Sequence, residues 1–430
     1  MRAAILQELR KISDRILSLA KEMPILLFIR TKRGLLARFA NNGVHQNGFQ
    51  DLSSYLIRVQ GQSGPIFVES NDVSDKGIRS ALAQLGKRRA GFNLPFVSAH
   101  RGGGIYPPIK EYFSFSLEGL PGMAHQAIEE AVQLIRAKKA SANGYFSAYE
   151  RFFYLRDANG LEAFHPATAC RFGITATKGP GKGYLSWYHP DFKKLRVTPV
   201  VEEAMRLAEE ASQKEITLAP GLYECIFSPR AFLELIEPLR RHFDRRFAEG
   251  GRSVFSSSLG KKMFSDSFTL TDDLRHPGQF GVPFDVEGHP KKKVTLIERG
   301  VLTELLGEGH GTRGILEHPY YPQNLVVDRG EFPVGELFKQ IRKGIYINKI
   351  WYHTLVRENE MEVTGLATAG SVCIERGKIK GRVLNLRYHD SIFSILRSVV
   401  ATSKEQILLK DGEMGAALFP SVWVSRLKVV

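Results

Sequence analysis

Cysteine is scarce in this sequence: Cys170, Cys225 and Cys373 are the full set, and no two stand at CxxC spacing. An odd, sparse count excludes a zinc ribbon and a disulfide framework, and fits a reducing compartment, so cytoplasmic residence is expected. No window approaches about 18 unbroken apolar residues, so no helical membrane span is expected. Twelve histidines are present, yet none lies within four residues of another. A helix carrying two metal-binding histidines at i and i+4 is thereby excluded. The closest pair, His310 and His318, flanks a glycine-rich stretch without helical register. No Gly-x-Ser-x-Gly nucleophile elbow occurs. Gly179-Pro-Gly-Lys-Gly183 lacks the spacing of a phosphate-binding loop and reads as a surface turn.

What is present belongs to an ordinary globular protein. The chain has 430 residues, 43% hydrophobic and 24% charged, enough for two cores and too ordered in composition for extensive disorder. The net charge of +15 comes from dispersed basic groups at residues 87–89, 240–241, 245–246, 261–262 and 291–293. No helix-turn-helix, RNP-type or zinc-finger pattern accompanies them, so nucleic acid is not expected as a partner. A solvated surface, or one complementary to an acidic partner, accounts for them.

Residues 1–22 place Ile5, Leu9, Ile12, Ile16 and Leu19 at helical spacing with charges between them, an amphipathic helix rather than a secretion signal. Strands are expected at 25–30, 34–39 and 55–60. A helix follows over 71–85, capped by Asp72, with Ile78, Leu82 and Leu85 on one face. A second helix spans 124–140, its stripe formed by Ala127, Ile128, Ala131, Leu134 and Ile135. Strands at 151–155 and 171–177 precede a third helix over 200–213.

From residue 217 strands and turns dominate. A strand at 221–227 leads to a helix opened by Ser228 and Pro229. Hairpins are expected around Arg299-Gly300 and Arg376-Gly377, both within Ile-Glu-Arg-Gly, where glycine supplies a positive φ. Residues 421–430 alternate as a half-buried strand does. The class is therefore α+β, with an N-terminal mixed helix/strand domain over 1–215 and a strand-rich, mostly antiparallel domain over 216–430.

Few side chains announce chemistry. His125 and Glu129 share a helical offset but belong to the polar face of their helix. Asp266, Asp272 and Asp273 lie in a segment read as a strand ending in a polar turn, with Asp266 and Asp272 on one face. Such carboxylates can bind a hard cation, but the strand-and-turn reading makes structural hydrogen bonding the expected role. The cysteines sit in strand-like surroundings and are expected to be buried. Read without further comparison, these residues give no reaction type.

An ordered series of motifs supplies more. Arg38-Phe-Ala-Asn-Asn-Gly-Val-His-Gln-Asn47 resembles the N-terminal signature of the TldD/PmbA family, also called modulators of DNA gyrase, and reads locally as a hairpin turning at Asn42-Gly43. The segments at 158–161 with Thr168, 220–229, 264–273, 281–288, 294–302, 344–352 and 363–365 resemble further family segments in the same order. The resemblance implies a dimeric zinc peptidase fold. It also implies that catalytic members take zinc from a His-Glu-x-x-x-His helix and a late cysteine.

Here the equivalent helix, residues 230–242, keeps Glu234 and Glu237 but has no histidine before either, and Pro238 is expected to bend it. His242 follows Glu237 by five residues, about 140° around a helix. Residues 411–420 contain no cysteine. The resemblance therefore implies the zinc-lacking, TldE-like branch: no cofactor in this chain, zinc in a TldD-like partner subunit, and peptide as substrate. A heterodimer is expected, with a homodimeric peptide-binding or nucleic-acid-associated protein, or a metallopeptidase with a rearranged site, as alternatives. If a metal site exists, His310, His318 and Glu237 are where it is sought. The motif residues taken as peptide-binding or interface candidates are Arg38, Asn41, His45, Gln46, Trp351 and Tyr352.

Overall fold

The computed structural model describes residues 2–21, 23–61, 64–89, 106, 108–307, 312–313, 320–383 and 386–430. His310 and His318 lie outside the described residues, as do the side chains of Arg88 and Arg89. Two sheets organise the chain. The first has six strands in the order β3-β2-β1-β4-β5-β6, all antiparallel. They are β1 (Leu26–Ala40), β2 (Gly43–Gly61), β3 (Gly64–Ser70), β4 (Ser141–Asp157), β5 (Glu162–Lys178) and β6 (Gly181–His189).

Four helices, α1 (Arg2–Ala20), α2 (Asp75–Arg89), α3 (Leu120–Ala137) and α4 (Val197–Ser212), cover one face of this sheet. The periodicity of α1 does what its spacing dictates: Ile5, Leu9 and Ile16 are buried against Leu27, Ile29, Tyr55, Ile57 and Tyr154. α3 buries Ala127, Ile128, Ala131 and Ile135 against the far end of the same face, with Leu134 at the margin. Gly179 and Pro180 form the β5–β6 turn.

Several local expectations are corrected. Residues 25–30 and 34–39, expected as two strands, form a single strand, within which Gly34 is a contact point. A Cβ there would lie 2.1 Å from the Ala148 carbonyl oxygen of β4. α2 begins at Asp75, after a turn in which Asp72 accepts from the Ser74 N–H and Ser74 Oγ accepts from the Gly77 N–H. Ser74, not Asp72, satisfies the free amide of the first turn. The β1–β2 hairpin turns at Asn41-Asn42, whose φ values are 49° and 64°, with Ala40 paired to Gly43. Asn42 holds that geometry by donating to Ala140 O and accepting from Ala142 N–H.

The larger sheet mixes parallel and antiparallel pairs. Its strands begin with β7 (Glu215–Ile216), β8 (Gly221–Phe227), β9 (Leu270–Asp272), β10 (Val294–Glu298) and β11 (Val301–Leu302). After the small β12 (Thr312–Arg313) and β13 (Tyr320–Tyr321) pair come β14 (Leu325–Val327), β15 (Lys343–Ile347), β16 (Lys349–Arg357) and β17 (Glu362–Thr368). β18 (Val372–Glu375), β19 (Lys378–Val383), β20 (Arg387–Ser391), β21 (Val399–Asp411) and β22 (Gly415–Val429) complete it. β22 is the hub, pairing with β8, β14, β20 and β21. Both expected hairpins form, with positive φ at Arg299, Gly300, Arg376 and Gly377. α5 (Pro229–Ile236) packs against β22 and β16, and Phe227, Phe232, Phe243 and Phe419 lie at the centre of the core.

The halves meet where Leu26, Phe28, Phe153 and Leu155 on the helix-free face of the first sheet pack on Val282, Phe284, Val286 and Met414. All three cysteines are free and buried. Among the described residues no helix is long and apolar enough to cross a membrane.

Candidate functional site

α5 starts as its sequence requires. Ser228 Oγ accepts from the Ala231 N–H at 3.1 Å and Pro229 stands at the first turn, where its missing N–H costs nothing. Phe232, Leu233, Leu235 and Ile236 are buried. At Glu237-Pro238 the α-helix gives way to a 3-10 segment, Glu237–Phe243, so Pro238 ends the α-helix rather than bending it.

That change of winding decides where the polar side chains go. Arg240 is buried and grips Asp411 with both ends of its guanidinium, Nη1 to Oδ1 at 2.9 Å and Nη2 to Oδ2. Tyr321 stacks its ring 4.9 Å from the same guanidinium and its hydroxyl donates to Glu237. His242, fully buried, accepts at Nδ1 from the Val254 N–H at 3.3 Å. Burial and the Arg241 charge push it down to about 4, so it is neutral at pH 7. Glu237 and His242 thus engage different partners and do not converge.

Arg240 and Asp411 come from the two segments, residues 230–242 and 411–420, in which the motif resemblance puts the zinc ligands of catalytic members. The segments do meet in space. Between them stands a guanidinium, a group with donors and no lone pair to offer a metal. A cation at that point would face the Arg240 charge, and Asp411 is already engaged by it. The residues present do not fit a zinc ion there.

One cluster with metal-like spacing exists among the described residues: Asp285, Glu287 and His289, ligand atoms within 4.8 Å of one another. Asp285 Oδ1 accepts from the Glu287 and His289 N–H groups at 2.8 and 2.9 Å. Arg58 of β2 forms a buried ion pair with Glu287, and Tyr106 donates to Gly288 O at 2.7 Å. This tight turn clips the two halves together, with the Glu287 charge answered by Arg58 and Asp285 held by backbone N–H groups and His289.

The acidic segment departs from expectation. Residues 264–269 are not a strand, Asp266 is an exposed partner of Lys262, and Asp272 is buried, accepting from Asn324 and Gln323 N–H groups. They share no face, because the strand begins only at Leu270. Lys291, read as part of a surface basic run, turns its ammonium inward to Gln323, Asn324 and Met414 acceptors. Burial lowers it to about 8.

The six motif candidates fall on two surfaces. Arg38 is exposed and donates to Gln46 Oε1 at 3.2 Å. Asn41 forms the hairpin turn and donates its N–H to Asn143 Oδ1. His45 is exposed on β2. Trp351 and Tyr352, 57% and 65% exposed, stack on each other at 4.4 Å on β16, in a different sheet.

A third group was not anticipated from sequence. Glu111 is buried between His165 Nε2 at 3.0 Å and Arg151 Nη2 at 3.5 Å. Burial works to raise its carboxyl, but the His165 hydrogen bond and the Arg151 and Lys410 charges outweigh it and hold it below the usual range. Lys410 is enclosed, donating to the carbonyls of Glu413 and Gly415. Burial and the Arg151 charge take it well below its ordinary value. No sequence spacing joins residues 111, 151, 165 and 410; only the register of β4 on β5 and the β21–β22 turn bring them together.

With this geometry established, residues 220–430 match the PmbA/TldA metallopeptidase C-terminal domain family. The chain belongs to the PmbA/TldD family. Among curated relatives it is 29% identical over 164 residues to a metalloprotease of Methanothermobacter thermautotrophicus, covering 34% of this chain and 36% of that protein. It is 23% identical over 226 residues to the metalloprotease TldD homolog of Buchnera aphidicola, covering 48% and 46%. The chain thus spans less than half the length of these relatives in the matched segments. In fold it is similar over 99% of both chains to TldE from Thermococcus kodakarensis, with a TM-score of 0.79 and 19% identity. A modulator of DNA gyrase from Thermotoga maritima gives a TM-score of 0.81 at 19% identity, covering 98% of this chain and 100% of that one.

Proposed function

We propose that this PmbA/TldD family chain is the subunit that does not bind zinc and that pairs with a TldD-like zinc peptidase in proteolysis or peptide maturation. The observation that carries the proposal is the Arg240–Asp411 pair. It occupies the junction of the two segments from which catalytic members draw their zinc ligands, and it replaces a metal-binding donor set with a cation. The chain's role is then to complete a peptide-holding cavity, with reaction chemistry supplied by the partner. Among the described residues β16 pairs with β17 alone and carries Trp351 and Tyr352, so an extended peptide has a strand edge and an aromatic platform beside it. The excess positive charge suits an acidic sister subunit, and three free thiols suit a reducing, cytoplasmic compartment.

Co-expression with a subunit carrying His-Glu-x-x-x-His, followed by size-exclusion chromatography with mass measurement, tests the pairing. A one-to-one complex that cleaves peptides faster than the zinc subunit alone is expected. Two independent proteins, with cleavage unchanged by adding this chain, would overturn the proposal.

A further inference from the structure

The two faces of the N-terminal sheet differ in character. One is covered by α1 to α4, and the other is covered in part by the C-terminal half, against Leu26, Phe28, Phe153 and Leu155. On this second face, Lys32 stands opposite Arg151 across β1 and β4, Arg38 opposite Tyr145, and Ser147 opposite Arg171 across β4 and β5. Directly opposed residues in antiparallel strands share a face, as do residues two apart on one strand. Arg30, Lys32, Arg38, Arg151 and Arg171 therefore lie on one side, with Tyr145, Tyr149 and Tyr188 among them.

Carboxylates answer only some of these charges. Arg30 pairs with Glu69 and Glu413, and Arg151 with Glu111. The other three rest on neutral groups. Lys32 lies 3.9 Å from the Tyr149 ring centroid, Arg38 donates to Gln46, and Arg171 donates to the Tyr145 hydroxyl at 3.3 Å. Among the described residues none of the three forms an ion pair. Arg151, itself 8% exposed, has a buried Nε without a hydrogen-bond partner. It lines a cavity of about 680 Å³ together with Arg30, Lys32, Ser53, Ser54 and Glu413, a volume within the range of small-ligand sites.

We propose that this helix-free sheet face docks an acidic peptide segment, its carboxylates pairing with Lys32, Arg38 and Arg171. The inference rests on the peptide-handling reading above and names the class of peptide. Lys32 and Arg38 are six residues apart on one extended strand, about 20 Å, the reach of an extended run of six or seven residues. Glu69, Glu413 and Asp51 at the rim interrupt the continuous positive field a phosphodiester backbone would follow.

Fluorescence anisotropy with a labelled octaglutamate peptide and the purified full chain tests this. Binding that exceeds that of octaserine and falls with added salt is expected. Lys32→Gln with Arg171→Gln should weaken it by about tenfold or more, and Arg38→Gln, at an exposed side chain that the fold does not need, in the same direction by less. Lys11→Gln with Lys76→Gln, on the helices of the opposite face, should leave it unchanged. Octaglutamate binding no tighter than octaserine would overturn the inference. So would equal loss in the Lys11/Lys76 variant, or tighter binding of a single-stranded oligonucleotide of equal charge at the same residues. No partner subunit is present in this assay, so its failure leaves the pairing proposal standing, and failure to pair leaves its result intact.

Discussion

Breaking the Arg240–Asp411 pair one partner at a time should give unequal costs. Arg240→Met leaves Asp411, whose side chain is 13% exposed, able to take a proton or reach water. Asp411→Leu strands Arg240, whose side chain is 4% exposed and whose guanidinium cannot shed its charge. Removing one partner of a buried pair costs about 3–5 kcal/mol, so Arg240→Met should fall near the lower figure and Asp411→Leu near the upper. Replacing both by apolar groups removes the charge problem, and the double variant should lie within about 2 kcal/mol of the parent. Urea unfolding followed by tryptophan fluorescence reads this out, because Trp423 lies on β22, the partner strand of β21. Two single variants as stable as the parent would refute the reasoning. So would a double variant as unstable as the sum of the singles, since the pair would then have no coupling.

Three other outcomes follow from the geometry. His242 is depressed from 6.5 to about 4 in the fold, so its contribution is fully present above pH 6.5 and is lost as pH falls toward 4. Acid unfolding of His242→Gln should therefore lack about 2 kcal/mol of the parent's pH dependence in that window. Gly34→Ala places a methyl group 2.1 Å from the Ala148 carbonyl and should lower stability by about 1–3 kcal/mol in thermal melts; an unchanged melting temperature would contradict the close contact. Asn42→Ala loses two hydrogen bonds and strains a φ of 64°, costing about 2–3 kcal/mol. Asn42→Gly, which tolerates that φ, should cost about 1 kcal/mol less; equal losses would contradict the turn assignment.

Much of the fold was legible because local rules and tertiary demand agree. α1, β8, the Ser228 cap and both Arg-Gly hairpins formed where periodicity and turn chemistry put them. The strands expected at 25–30 and 34–39 join into one, because Gly34 lies against Ala148 of β4, a contact that only the neighbouring strand reveals. The candidate site was less legible. Arg240 stood within an Arg-Arg pair that reads as surface charge, and its partner lies 171 residues away in sequence. Lys291 and Arg151 escaped for the same reason: burial of a cation is set by distant acceptors and by what packs on the helix-free sheet face, neither of which leaves a local pattern. Ligand absence at residues 230–242 was plain in the sequence, but the guanidinium that stands there instead required the fold.

The most direct measurement is zinc content by mass spectrometry, on the chain purified alone and on its complex with a His-Glu-x-x-x-His subunit. The account predicts no stoichiometric zinc on the isolated chain, one zinc per complex, and metal content of the complex unchanged by Arg240→Met. About one zinc bound to each isolated chain, with peptide cleavage that a chelator abolishes, would contradict it.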